Sequence, residues 1–357
     1  MWLILGLCFL AARASAQTLV PGFDKLEYIR LMHISAQFGS KRYAAALPVT
    51  DARLLYSSPV TGFDNCWQLW RDTSGIIIIN LRGTTREPIS WLANLYAAMV
   101  PAKGRIMITD HDTFHYELAQ DPRAAVHAGW LAATAFMAKD ILQKTDSCYR
   151  QGHRNFLIIG HSQGGAIAYL LTAYMRQLQQ NGKLPSDIRL KTYCSAAPKP
   201  GNLYFAYEYE AMTQNGWAYN VVNSLDWVPQ TPFSLQTVSD FPEINPFKNA
   251  RRLIKKQKWP RRWALHYAYG RLTQPSRKAL KHYQKFLGDY AGKMARKNLP
   301  GLSVPAYAPT NDYVRTGNTV VLLADDTYKI KFPQDEKNIF CNHFHQQYVY
   351  LAAQLPE

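Results

Sequence analysis

The run F-L-I-I-G-H-S-Q-G-G-A-I-A-Y, from Phe156 to Tyr169, restricts this chain more than any other stretch. Four apolar residues lead into Gly160-His161-Ser162-Gln163-Gly164, and small residues then give way to helix formers. The pattern predicts a buried strand that turns sharply into a helix. Glycines on both sides of Ser162 leave room for a strained turn that lifts the hydroxyl above the sheet edge. The amide of Gln163 opens the helix, so its N–H is free to face a developing negative charge. A serine in a tight turn can also be no more than that. The preceding strand and the small-residue helix start favour a nucleophile, and the rest of the chain then has to supply a base, an acid and a second oxyanion donor.

Met1–Ala12 is apolar and Ala14-Ser15-Ala16 has the small-x-small form of a cleavage site, so residues 1–16 read as a secretory leader. A membrane anchor fits less well, because the run is too short to span a bilayer and ends at Arg13. A lipid-modified Cys8 fits no better, because Leu5-Gly6-Leu7 places no small residue beside it. The chain is thus expected to be exported, either secreted or periplasmic, with residues 17–357 forming one large α/β domain. Four cysteines follow the leader: Cys66, Cys148, Cys194 and Cys341. An exported chain could pair them as two disulfides in any of three ways, although Cys194, in an expected buried strand, also fits a free core thiol. Their spacing matches no zinc site. The net charge of +16 suits an anionic membrane surface or an acidic polymer; export places nucleic acid last, and no nucleic-acid partner is expected.

Residues 23–38 carry Leu26, Ile29, Met32 and Ala36 at helical spacing and predict an amphipathic helix. Cys66–Arg71 and Gly75–Leu81 read as strands joined by a turn, the second apolar throughout and so central. Residues 103–122 are polar and read as a surface loop. A long helix is expected from Val126 to about Gln143, with His127 at its start in a structural hydrogen-bonding role rather than as a base. Strands follow at Ile188–Ala196 and Gly216–Asn223. Residues 245–299 change character: Lys248, Arg251, Arg252, Lys255, Lys256, Lys258, Arg261 and Arg262 interleave with Phe247, Leu253, Ile254, Trp259 and Trp263. They predict a basic helical insertion. It is either a solvated charged face or a tryptophan-bearing surface for anionic lipid headgroups. Residues 319–332 read as a hairpin, and the chain ends in a helix with Phe344, Tyr348, Leu351 and Leu355 as its buried stripe.

Candidates for the missing groups lie in order along this scaffold. Arg82-Gly83-Thr84-Thr85 ends a strand before a helix, which is where an oxyanion donor can sit, with Thr84 offering its N–H. Asp226 follows the strand 216–223, at the carboxyl end where a parallel sheet presents an acid; the other reading of it is a turn-forming aspartate. In the last segment, Asn342 is expected to cap the helix and to place His343 in its first turn. His343 is the favoured base, because His345 falls off the buried stripe and is expected to face solvent.

These blocks resemble the class 3 lipase family of α/β-hydrolases, which includes secreted fungal triacylglycerol lipases. Ile76–Leu95 is similar to the family's strand, arginine-glycine-hydroxyl turn and Trp-Leu-x-Asn-Leu helix. Val126–Trp130 resembles its His-x-Gly-aromatic helix start, Leu157–Tyr169 its nucleophile turn, and Tyr219–Pro232 the strand that ends in the acid. The resemblance implies an α/β-hydrolase fold with a mostly parallel central sheet and helices on both faces. It implies Ser162 as nucleophile, Asp226 as acid, His343 as base and the Thr84 and Gln163 amides as oxyanion hole, with no metal or organic cofactor. The implied activity is hydrolysis of carboxylic ester bonds of lipids. A phospholipase, a soluble carboxylesterase and a non-catalytic lipid-binding protein are the alternatives. The chain departs from the family at Gln163, where leucine is usual, and in the basic insertion between Asp226 and His343.

Overall fold

A strand buried on both faces needs apolar side chains at nearly every position. Ile77–Leu81 and Asn155–His161 are buried throughout. In the computed structural model, which describes residues 18–356, they pair in parallel at the middle of a sheet. The leader read at residues 1–16 lies outside the described residues. The strands of this sheet are β1 (Ala52–Ser57), β2 (Trp67–Asp72), β3 (Ile77–Leu81), β4 (Asn155–His161), β5 (Arg189–Ser195), β6 (Ala218–Asn223) and β7 (Asn318–Leu322). Their spatial order follows their chain order. β1, β2 and β3 are antiparallel, and β3 to β7 are parallel.

The helices are α1 (Lys25–Ser35), α2 (Lys41–Ala45), α3 (Pro88–Leu95), α4 (Ala128–Arg150), α5 (Gln163–Gln180), α6 (Leu203–Met212), α7 (Ala250–Lys255), α8 (Arg261–Gln284), α9 (Ala291–Asn298), α10 (Asp326–Lys331) and α11 (His345–Ala353). Side chains alternate across a strand, and β3 shows the result. Ile77, Ile79 and Leu81 pack with Leu131 of α4 and Ile167 of α5. Ile76 and Ile78 pack with Leu31 of α1 and Leu351 of α11 on the other face. Helices therefore cover both faces, and the strand ends that carry the candidate residues open along one edge. Among the described residues no helix is long and apolar enough to cross a membrane.

Several expectations are corrected. Residues 103–122 are not a plain surface loop: Lys103–Thr109 and Asp112–Glu117 pair as a hairpin that buries Ile106, Phe114 and Tyr116, while charged residues on its outer face hide the alternation. The expected second strand of a hairpin at 328–332 is helical instead. Asp325 Oδ1 accepts the Tyr328 amide at 2.7 Å and caps α10, so Tyr328 and Phe332 meet one turn apart. β7 has its parallel partner in β6. The four cysteines among the described residues are free thiols, with Cys66, Cys148 and Cys194 buried. Residues 250–255 and 261–298 are helical, with a π-helical turn over Lys285–Tyr290 between α8 and α9.

Candidate active site

β4 ends in a turn that most residues could not make. Ser162 sits at φ +61°, ψ −129°, and its amide donates to Ser195 O at 2.9 Å on the neighbouring strand. A side chain at Gly160 would place its Cβ 2.1 Å from the Gly164 carbonyl, and one at Gly164 would lie 2.3 Å from Leu81 O. Both glycines are needed for α5 to start this close to the sheet. Gln163 is the first residue of α5, so its amide and the positive end of an 18-residue helix face the same point.

Asp226 and His343 approach from different elements. Asp226, 2% exposed, follows β6 and accepts the Val228 amide at 3.0 Å on Oδ1. Its Oδ2 lies 2.7 Å from His343 Nδ1 and also accepts the Tyr348 hydroxyl at 2.7 Å. Tyr348 OH in turn accepts the Asn223 amide at 3.1 Å. A carboxylate at Nδ1 fixes the tautomer, so Nε2 carries the lone pair that can take a proton. Ser162 and His343 line the same cavity.

The loop that holds His343 is fastened from behind. His161 Nε2–H donates to the His343 carbonyl at 2.6 Å, which leaves Nδ1 to accept from Ser195 Oγ at 3.1 Å. Ser195 Oγ, its proton committed, then accepts from Tyr28 OH at 2.7 Å. Burial holds the His161 imidazole well below its ordinary value, consistent with this neutral relay. The described helix starts at His345 with Phe344 as its cap residue, so His343 precedes the helix rather than lying in its first turn. Asn342 does not cap it; its Oδ1 accepts from Tyr328 OH at 2.9 Å.

His345 does not face solvent as expected. It packs against His161 with ring centroids 4.2 Å apart and the planes tilted by 31°, while Nδ1 lies 3.1 Å from Tyr43 OH and Nε2 3.1 Å from Ser35 Oγ. Burial pushes its imidazole down to about 3. α1 and α2 cover the side of α11 that a lone helix would leave open, which is why His345 is enclosed. His127 caps α4 by accepting the Trp130 amide at 3.3 Å, and its Nε2 lies 3.2 Å from Asn94 O; burial likewise pushes it down to about 3.

Across the cavity, Asn94 of α3 ties the other turn to the serine turn. Its Nδ2 donates to Thr84 Oγ1 at 2.9 Å, and its Oδ1 accepts from Gln163 Nε2 at 2.8 Å and Trp130 Nε1 at 2.9 Å. Gln163 Nε2 also donates to Ser90 O at 3.0 Å, and its Oε1 accepts from Asn65 at 3.4 Å. Gln163 thus serves a buried amide network where a leucine would make none. Asn94 and Tyr348 were not singled out as functional from the sequence. The only signal for Asn94 was its place in Trp91-Leu92-Ala93-Asn94-Leu95.

The cavity holds about 990 Å³ and is walled mainly by apolar side chains, including Phe38, Trp91, Leu95, Trp227, Phe233, Leu287, Phe340 and Phe344. Among the described residues, no three His, Cys, Asp or Glu side chains converge as ligands for a metal ion. A strained serine at a helix start, a histidine–carboxylate pair and an apolar cavity between them can support acyl transfer from a substrate with a long apolar group.

Comparison with known proteins agrees on the central segment. Residues 78–236 match the family model described as lipase (class 3). A secreted mono- and diacylglycerol lipase 1 of Fusarium solani is 27% identical over 180 residues, covering 48% of this chain and 50% of the relative. The chain therefore spans about half the length of the curated relative it matches. Among solved structures, a Rhizomucor miehei lipase propeptide complex is similar at 21% identity and a TM-score of 0.43, covering 58% of this chain and 62% of that one. The Lip2 lipase of Yarrowia lipolytica is similar at 22% identity and a TM-score of 0.43, covering 58% and 72%.

Proposed function

We propose that this chain, whose residues 78–236 belong to the class 3 lipase family, hydrolyses carboxylic ester bonds of lipids through an acyl-enzyme on Ser162. The observation that carries the reading is the 2.7 Å contact between Asp226 Oδ2 and His343 Nδ1 beside an apolar cavity that Ser162 also lines. Ser162 Oγ attacks the ester carbonyl and gives its proton to His343 Nε2. Asp226 stabilises the imidazolium that forms. The Thr84 and Gln163 amides bind the tetrahedral oxyanion, and one such donor contributes about 3 kcal/mol. Collapse breaks the bond to the alcohol, which leaves with the proton from Nε2. Water then repeats the sequence, His343 taking its proton, and the carboxylic acid departs with Ser162 restored.

The apolar walls suit an acyl chain, so lipid esters are the substrate class. The leader-like residues 1–16 make the enzyme an exported one, secreted or periplasmic, and the basic insertion at 245–299 gives it a face for an anionic membrane. The test is hydrolysis of a short p-nitrophenyl ester alongside triacylglycerol and phospholipid panels. Ser162→Ala is expected to remove turnover on every substrate while the circular dichroism of the fold is unchanged. Undiminished turnover in that variant refutes the assignment, and activity confined to the soluble ester makes the chain a carboxylesterase instead.

A further inference from the structure

The basic insertion contains a stretch with no counter-charge of its own. Between residues 244 and 288 there are thirteen lysines and arginines and no aspartate or glutamate, which accounts for thirteen of the chain's sixteen net positive charges. Within it, every residue from Arg261 to Ala268 is exposed. A helix that packs on a protein hides one face, and one exposed all round bridges solvent or meets another phase. These two turns are not simply polar. Trp263 is 66% exposed and Tyr267 59%, their rings stacked with centroids 5.8 Å apart, and Trp259 just before the helix is 82% exposed.

We infer that Trp259 and the first two turns of α8 form an arm that docks in the headgroup layer of an anionic lipid bilayer. This rests on the lipid-ester reading above for its purpose. Tryptophan and tyrosine rings suit the boundary between headgroups and acyl chains, and Arg261 and Arg262 beside them meet lipid phosphates. Water-exposed aromatic rings are costly in solution and are accommodated where lipid meets the arm. A second copy of the chain is a poor occupant, because it would bring the same positive field to the contact.

The arm is continuous with the wall of the cavity. α8 runs on to Tyr283 and the π-helical turn to Leu287, both of which line the cavity, and the Ala98 amide donates to Leu287 O at 3.0 Å. From Trp263 to Tyr283 the path is about 30 Å of helix. A docked arm therefore holds the cavity within a helix length of a bilayer, where the substrate resides.

The experiment is co-sedimentation of the whole chain with vesicles of phosphatidylcholine alone or mixed with phosphatidylglycerol, at low and high salt, with short-ester hydrolysis measured in parallel. The parent is expected to bind only the mixed vesicles, and less as salt rises. Arg261→Gln with Arg262→Gln should weaken binding about 30-fold, and Trp259→Ala with Trp263→Ala roughly tenfold or more. All of these substitutions are on exposed positions, so turnover of the soluble ester should be unchanged. Equal binding to both vesicles overturns the inference, as do variants that bind like the parent. Binding to duplex DNA without binding to mixed vesicles overturns it as well. Sedimentation reads docking whether or not esters are turned over, whereas a parent that binds mixed vesicles but hydrolyses no ester overturns the catalytic reading alone.

Discussion

Replacing Tyr348 by phenylalanine removes one oxygen from the support of the carboxylate. The ring position, including its edge-on contact with His161 at 5.2 Å, can be kept, so no cavity is opened. Two hydrogen bonds are lost. The bond to Asp226 Oδ2 at 2.7 Å is a contact to a buried charged group, for which about 1.5–3 kcal/mol is typical. The Asn223 amide loses its acceptor in a buried strand, at a cost of about 1–3 kcal/mol. The sum is about 2.5–6 kcal/mol of stability, large against the 5–15 kcal/mol typical of a whole domain. With Asp226 less firmly held, His343 loses alignment, and a roughly tenfold fall in kcat on a soluble ester corresponds to about 1.4 kcal/mol in the barrier. Urea unfolding of the parent, Tyr348→Phe, Asp226→Asn and the double variant forms a cycle. The tyrosine change should cost at least about 1 kcal/mol less where the carboxylate is already gone. A Tyr348→Phe protein within about 0.5 kcal/mol of the parent, or an equal cost in both backgrounds, refutes this account.

His343→Ala is expected to abolish ester turnover with a modest stability change, and His345→Ala to lower the urea midpoint while retaining turnover in the folded fraction; the reverse pattern would exchange their roles. Burial pushes His127 and His345 down to about 3, whereas in the unfolded chain they titrate near 6.5. The unfolded chain therefore binds more protons between those values, so their contribution is complete above about pH 6.5 and drains as pH falls toward 3. A urea midpoint that fails to fall between pH 7 and about 5 contradicts this. Gln163→Leu should loosen α3 from the serine turn, because Asn94 Oδ1 keeps only Trp130 and the Ser90 carbonyl loses the side-chain donor. A loss of about 1–2 kcal/mol in unfolding is expected, three hydrogen bonds set against a more apolar side chain, and a stabilised variant would show that the network is dispensable.

The sheet and the serine turn were legible because their signals are local. Continuous apolar strands, glycines at the points of closest approach and a small-residue helix start all lie within a few residues of the structure they cause. Asp226 after β6 was legible from order and spacing along a parallel sheet. The fate of His345 was not, because its surroundings, Ser35 and Tyr43, come from about 300 residues earlier in the chain. A helical wheel drawn on α11 alone cannot contain them. Residues 103–117 and 326–331 failed for a different reason: each is short, and polar outward residues or an aspartate cap carried as much signal as the few buried side chains. The open choice among disulfide pairings closes on free thiols, and Cys194 lies in the core strand β5.

The π-helical turn at Lys285–Tyr290 sets the helical phase between two parts of the insertion. It releases the Leu287 carbonyl to Ala98, and Gly288 fits there because a Cβ would lie 2.7 Å from the Tyr307 ring and 2.9 Å from Ala98. Everything N-terminal to it on α8 is consequently indexed to the cavity wall like a crank to its shaft. Deleting one residue upstream would turn Trp263 by about 100° relative to Leu287 while leaving the chemistry in place. Length changes in this segment, more than substitutions, are therefore how the pitch of the molecule on a surface could be retuned.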